Sequence, residues 1–377
     1  MALACLSFAG NLKAKPEGFA PAKVLLEKAI EERAFPGCAV AVGTDKKLLW
    51  SAALGSFDYG KNEPVREDTI YDLASVTKVA GTTAVFMRLV ALEKIKVSEP
   101  AGKYLPEFVA AATTPEETMR REQITIEHLL THSAGLITWK PFYKTLNSYT
   151  ELLEAIYKAP LDNEPGKVFR YSDPGMMLLG EIAARAGGKP LATLEQELVF
   201  QPLKMKDTLR NPPAALAKRI PPTERWPGRE EFVHGVAHDE NCRAGEGITG
   251  HAGLFSTTGD LAKLAQEILR GLDNRSALFP QKVVAEFVRP RKVGKDSVRG
   301  LGWGVSESKE ADGKTTRVIS HTGFTGTSMR IDLDRKLFVV LLTNRVHPTR
   351  DNDKIGRVRS RLAEAVIDAF DGAKAGK

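Results

Sequence analysis

The pair Ser75 and Lys78, within Ala74-Ser75-Val76-Thr77-Lys78, constrains this chain more than any other stretch, because it sets a hydroxyl and an amine one helical turn apart. From Ser75 the sequence runs through Phe86, Leu89 and Val90 to Lys94 without a proline, which predicts a helix opening at or near Ser75. At that spacing the two side chains share a face, so the Lys78 amine reaches the Ser75 oxygen. Serine becomes a nucleophile only when a neighbour takes its proton, and a helix N-terminus offers N–H groups that favour the charge of an attacked acyl group. A serine at a helix start is also commonly a simple N-cap, and a lysine three residues on a solvated side chain. The same spacing recurs at Ser306 and Lys309, but that copy runs into Glu310-Ala311-Asp312-Gly313-Lys314, a predicted polar turn with no helix to orient it.

The chain has 377 residues, 42% hydrophobic and 27% charged, enough for one large domain or two closely packed ones. Its formal net charge of +7 alternates with acids, as in Arg121-Glu122 and Arg229-Glu230-Glu231, so a solvated surface explains it better than nucleic-acid binding. No apolar run approaches a membrane span. Cys5, Cys38 and Cys242 are too scattered for a disulfide framework or a metal site. The apolar opening Met1 to Gly10 lacks a basic start and is short for a signal peptide, although Leu3-Ala4-Cys5 faintly matches a lipoprotein cleavage site; residues 1–21 are read as a leader or extension.

Ala22, Leu25, Leu26, Ala29 and Ile30 repeat at helical spacing, and Gly37 to Gly43 with Leu48 to Leu54 form a hairpin pattern. Helical patterns follow at Glu127 to Leu130, Tyr149 to Tyr157, Met176 to Ala186 and Leu261 to Leu269. Strand patterns return at Leu301 to Ser306, Thr316 to His321, Thr327 to Leu333 and Leu337 to Thr343, before a helix carrying Ile355, Val358, Leu362, Val366 and Phe370. The expected fold is α+β: one antiparallel sheet built from both termini and flanked by terminal helices, with a helical subdomain inserted. Its expected limits are 22–372, with the sheet from 22–85 and 290–372 and the helices from 86–289. Ser75 then falls at the seam between the two parts, where clefts form.

Tyr171-Ser172-Asp173 lies in a loop just before a predicted helix. Such a tyrosine commonly covers the core, but beside a cation such as Lys78 it could relay a proton. His321-Thr322-Gly323 ends a strand and Phe324-Thr325-Gly326 turns into the next, which is either a tight turn or an edge whose N–H groups face a developing oxyanion. There is no Gly-x-Ser-x-Gly elbow and no His-Glu-x-x-His. His234 and His238, and the Gly-flanked His128, His132 and His251, read as structural.

Taken in order, Ser-x-x-Lys at 75, Tyr-x-Asp at 171 and His-Thr-Gly at 321 resemble the penicillin-recognising serine hydrolases, in the branch of class C β-lactamases, D-alanyl-D-alanine carboxypeptidases and family VIII carboxylesterases. Phe35-Pro36-Gly37, Tyr104-Leu105-Pro106, Leu129 to Leu136, Gly250 to Ser256 and Leu342-Thr343-Asn344-Arg345 also look like this family, from about residue 22 to 370. The resemblance implies Ser75 as acylated nucleophile, Lys78 as the group keeping it activated and Tyr171 as general base and acid. It also implies an oxyanion hole from the N–H groups of Ser75 and Phe324, substrate contacts from His321, Thr322, Gly323 and Asp173, and no metal or cofactor. Substrates implied are small-molecule esters, β-lactams or peptides, and members are mostly periplasmic or secreted. Two departures stand out: Asp173 where many β-lactamases have asparagine, and His321 where they carry lysine, which removes a fixed cation for an antibiotic carboxylate. They point to a carboxylesterase with little β-lactamase activity, with a D-Ala-D-Ala carboxypeptidase or class C-like β-lactamase as the alternative, and a silent penicillin-binding or scaffolding protein as the non-enzyme one. Trp139, Phe142 and Trp303, with Phe324, are the expected apolar lining of the cleft.

Overall fold

The computed structural model describes residues 16–60, 63–295, 297–309 and 315–375, so the apolar opening and Cys5 lie outside the described residues. The predicted first helix spans Ala20–Glu31, and the hairpin follows as β1 (Gly37–Thr44) and β2 (Leu48–Gly55). A small sheet of order β3-β5-β4 joins β3 (Tyr71–Asp72), β4 (Leu209–Arg210) and β5 (Leu254–Ser256). From the C-terminal part come β6 (Arg291–Val293), β7 (Ser297–Arg299), β8 (Gly304–Lys309), β9 (Thr315–Thr322), β10 (Ser328–Asp332) and β11 (Leu337–Thr343). With the hairpin they make an eight-stranded antiparallel sheet of order β2-β1-β11-β10-β9-β8-β7-β6, sewn together where Cys38 pairs with Thr343 and Thr44 with Leu337. The helix Ile355–Ala375 closes the described chain.

Period-two alternation divides the sheet between two cores. On β11, Leu337, Val339 and Leu341 meet Leu26, Ala29, Leu362 and Val366 of the terminal helices. Phe338, Val340 and Leu342 face the other way, into a larger core filled by Phe86, Leu129, Leu152, Met176 and Leu264 of the intervening helices. Ile319 of β9 lies in that second core, so His321, two residues further along, projects to the same side. Among the described residues no helix is long and apolar enough to cross a membrane.

Three local expectations change. The strand expected from Leu301 begins only at Gly304, because the chain turns at Gly302, whose φ of 79° and lack of side chain let it sit against Thr83. The strand expected to end at Ser306 instead carries the whole second Ser-x-x-Lys copy on β8, pairing from Ser306 with Val318 to Lys309 with Thr315. The edge strands β6 and β7 and the helix Gln281–Val288 had no clear sequence signal, since a short, basic, Gly-broken edge carries little apolar alternation.

Candidate active site

Asp72, at the end of β3, shapes the approach to Ser75. Its buried carboxylate accepts the Ala74 N–H at 2.8 Å and the His238 N–H at 2.5 Å. Ala74 is held at φ 44°, a left-handed conformation that side chains other than glycine rarely adopt. The helix expected at Ser75 is therefore not regular at its start. Ser75 sits in a 3-10 turn (Ala74–Val76), a π-helical stretch follows (Lys78–Thr83), and only Ala84–Ala91 is α-helical. Thr77 Oγ1 accepts the Leu254 N–H at 3.1 Å and Thr82 Oγ1 donates to the Gly250 carbonyl at 2.7 Å, which clamps these turns to the 250–254 segment.

Lys78 is fully buried, and its Nζ has three oxygen neighbours: Ser75 Oγ at 2.9 Å, the His251 carbonyl at 3.0 Å and Asp173 Oδ1 at 2.8 Å. The first two accept hydrogen bonds from the ammonium and the third is an ion-pair contact. Burial alone would lower the lysine pKa, but the Asp173 carboxylate and the Tyr171 phenol outweigh it and hold the group above its ordinary value. At neutral pH Lys78 is a cation that donates to Ser75. Behind Asp173, His251 Nε2 lies 2.9 Å from Asp239 and its Nδ1 2.9 Å from Thr249 Oγ1. Burial opposes ionisation of Asp239, yet His251 leads the contacts that keep its carboxyl well below the usual range. The ligand atoms of Asp173, Asp239 and His251 lie within 4.8 Å of one another, but the Lys78 ammonium already sits against Asp173 and supplies the positive charge there.

Tyr171 precedes the helix Asp173–Gly187, whose N-cap Ser172 accepts the Gly175 N–H at 3.0 Å and donates to the Ile137 carbonyl at 2.7 Å. The Tyr171 ring packs on His132 at 4.6 Å between centroids and stands 6.1 Å from His321, with Lys78 Nζ 4.9 Å from its centre. His132 Nδ1 accepts the Ser172 N–H at 3.1 Å, which places the ring proton on a buried Nε2 that has no partner. Burial, with the charges of Arg299 and Lys78, keeps His132 neutral. Reading it as a residue that satisfies backbone captured only half of its role.

The loop after β9 meets Ser75 from the opposite side. Thr325 Oγ1 donates to the Asp72 carbonyl and Thr327 Oγ1 to the Leu73 carbonyl, both at 2.8 Å. Gly323 fits between them because it has no side chain: a Cβ there would lie 2.4 Å from the Leu73 oxygen. On the far face Arg359, from the terminal helix, donates to the Gly323 carbonyl at 2.8 Å, and Arg345 to the Phe324 carbonyl at 2.8 Å. In a trans peptide the N–H opposes the C=O, so the Phe324 N–H points away from Arg359. Burial and the Lys78 and Arg299 charges push His321 down to about 3, so the imidazole beside Thr322 is neutral.

The expected apolar lining divides. Trp303 is 1% and Phe142 5% exposed, both packed in the main core, so neither presents a face to an open cleft. Trp139 and Phe324 are 45% and 48% exposed, and the Phe324 ring is backed by His238 at 5.7 Å and Arg345 at 4.5 Å. His234 and His238 do not converge: one bonds the Ile220 carbonyl at 2.8 Å and the other Glu224 at 3.0 Å.

A Ser-Lys pair at the junction of such a sheet with its helices, faced by a tyrosine, belongs to the class of penicillin-recognising serine hydrolases. The chain is a member of the beta-lactamase family, whose model matches residues 23–363. It is 33% identical over 348 residues to an N-acetylmuramyl-L-alanine amidase of Bacillus subtilis (strain 168), covering 83% of this chain and 78% of that one. It is 32% identical over 317 residues to a putative D-alanyl-D-alanine carboxypeptidase of Salmonella agona (strain SL483), covering 76% and 72%. In fold it is similar to EstCE1, a hydrolase with promiscuous acyltransferase activity, with a TM-score of 0.76 at 21% identity, covering 93% of this chain and 99% of that one. A class C beta lactamase from Rhodobacter sphaeroides gives a TM-score of 0.72 at 19% identity, covering 92% and 99%.

Proposed function

We propose that the chain hydrolyses a small carboxylic ester through an acyl-enzyme on Ser75, with little activity on β-lactams. The observation that carries this reading is the buried Lys78 ammonium, spanning Ser75 Oγ and Asp173 Oδ1. Because that ammonium is already protonated, Tyr171 acts as the phenolate beside that cation and takes the Ser75 proton as Oγ bonds to the acyl carbon. The Ser75 and Phe324 N–H groups hold the oxyanion, and Tyr171 returns the proton to the leaving oxygen as its bond to the acyl carbon breaks. Water then attacks the acyl-enzyme by the same route, releasing the acid and restoring Ser75. The low β-lactam activity follows from His321, a neutral group where related β-lactamases have a cation, and from Asp173, which is engaged by Lys78.

The curated relatives named as putative D-alanyl-D-alanine carboxypeptidases favour a second reading, release of a terminal D-alanine. Parallel assays of p-nitrophenyl acetate, nitrocefin and a D-alanyl-D-alanine peptide separate the two. Ester turnover without nitrocefin turnover or D-alanine release supports the first. D-alanine released faster than ester is cleaved supports the second, and rapid nitrocefin turnover contradicts the stated selectivity.

A further inference from the structure

Arg359 reaches the back of the β9–β10 loop from the terminal helix, on the side of the sheet away from the Ser75 helix. Its Nη2 donates to the Gly323 carbonyl and to the Thr327 carbonyl, both at 2.8 Å, so one nitrogen spans the two ends of the turn. The same ends are joined within the turn by the Gly323 N–H, which donates to the Thr327 carbonyl at 2.8 Å. Among the described residues these two carbonyls are the acceptors of Arg359, and its buried Nε has none. Burial and the nearby Arg345 charge lower its pKa to about 10, which leaves it a cation at neutral pH.

The Gly323 carbonyl belongs to the same peptide unit as the Phe324 N–H. A cation bonded to that oxygen draws charge out of the amide and makes its N–H a stronger donor, because hydrogen bonds in series polarise one another. Among the described residues the Phe324 N–H meets no acceptor of its own. The peptide also lies against the turn of the nucleophile. A Cβ at Gly323 would stand 2.4 Å from the Leu73 oxygen and 3.4 Å from the Cβ of Ala74, the residue before Ser75. From that inner side Thr325 and Thr327 bind the Asp72 and Leu73 carbonyls. From the outer side Arg345 holds the Phe324 carbonyl at 2.8 Å, so Arg359 is what fixes the plane of the preceding peptide.

We infer that Arg359 is a positioning residue for the oxyanion hole, holding and polarising the peptide whose N–H receives the developing charge. This inference rests on the Ser75 hydrolase reading and adds to it a cation that acts through the backbone, without touching the substrate. It gives the terminal helix a part in the reaction as well as in the core.

The test follows p-nitrophenyl acetate turnover, and inhibition by phenylboronic acid, which forms a tetrahedral anion on the nucleophile. The proteins are wild type, Arg359→Met, Arg359→Ala, Arg359→Lys and Ser75→Ala. Arg359→Met is expected to lower kcat about tenfold with KM within about twofold of wild type, a part of the roughly 100-fold that one whole oxyanion donor supplies. Phenylboronic acid should bind that variant more weakly by a similar factor, because its anion takes the place of the oxyanion. Millimolar guanidinium chloride should restore part of the kcat of Arg359→Ala, and equal sodium chloride should not. Arg359→Lys keeps the charge and is expected to lose less than Arg359→Met; an equal loss overturns the polarising role. Wild-type kcat in folded Arg359→Met overturns the assignment even where Tm falls, since Arg359 then only fastens helix to sheet. So does a loss of kcat with unchanged boronate affinity, or the absence of rescue by guanidinium. Turnover surviving in Ser75→Ala sinks the underlying hydrolase reading, whatever Arg359 does.

Discussion

Lys78 Nζ lies 2.8 Å from Asp173 Oδ1, so the aspartate that the motif resemblance offers to the substrate is held by the lysine. The lysine is completely buried and the aspartate side chain is 15% exposed, so this is an interior ion pair at the nucleophile. Asp173→Asn removes the counter-charge and leaves burial acting on Lys78. The lysine is held above its ordinary value, so the pair stabilises the fold at all pH values where an unfolded lysine is charged. The variant should lose about 3 kcal/mol of unfolding free energy at neutral pH. The alkaline limb of kcat/KM should also move to lower pH, because the ammonium then deprotonates more easily. Denaturant titration and a pH-rate profile check both, and an unmoved alkaline limb contradicts the role given to Asp173.

Gly323→Ala tests the seam between the β9–β10 loop and the nucleophile. A Cβ would stand 2.4 Å from the Leu73 carbonyl and 2.1 Å from Thr327 Oγ1, so the loop must retreat and carry the Phe324 N–H with it. Loss of one oxyanion donor costs about 100-fold in kcat, with a smaller change in KM. Steady-state kinetics on p-nitrophenyl acetate decides; a variant with wild-type kcat would remove Phe324 from the oxyanion hole.

Tyr171→Phe keeps the ring packed on His132 and removes only the phenol oxygen. Proton relay is worth about 100- to 10,000-fold, so kcat should fall by that range while Tm stays close to wild type. Activity within a few-fold of wild type would leave proton transfer to another group.

His132 and His321 are both held neutral by burial, His321 down to about 3. Unfolding frees them to take protons near their ordinary value, so their contribution is full above about pH 6.5 and is lost as pH falls towards 3. His321 should withdraw on the order of 2 kcal/mol of stability by pH 5, and His132 acts in the same direction. Thermal unfolding followed from pH 7 to pH 5 checks the sign: Tm must fall, and His321→Gln must flatten the slope.

Local pattern made the terminal helices, the hairpin and the motifs of the site legible in the sequence, because amphipathic spacing and short motifs are carried by neighbouring residues. Ser75, Lys78 and Tyr171 converge in the structure, and the Gly323 turn meets them. What stayed hidden depends on residues distant in the chain. His251 reaches Lys78 through a backbone carbonyl, His132 reaches Tyr171 by ring packing, and Arg299 acts on His132 and His321 through its charge. Burial was equally unreadable for aromatics: Trp303 and Phe142 fill the core, whereas Trp139 is exposed, and nothing in their spacing separates them. The irregular opening of the Ser75 helix follows from Asp72 capturing the Ala74 and His238 N–H groups, a contact across 166 residues in the second case.

The most direct test of the account is the mass of the intact protein after exposure to a fluorescent phosphonate, followed by mapping of the modified peptide. The account predicts one adduct on Ser75 in wild type, with Ser75→Ala remaining unlabelled and inactive on p-nitrophenyl acetate. Labelling at another serine, or ester turnover that survives in Ser75→Ala, would place the nucleophile elsewhere and contradict it.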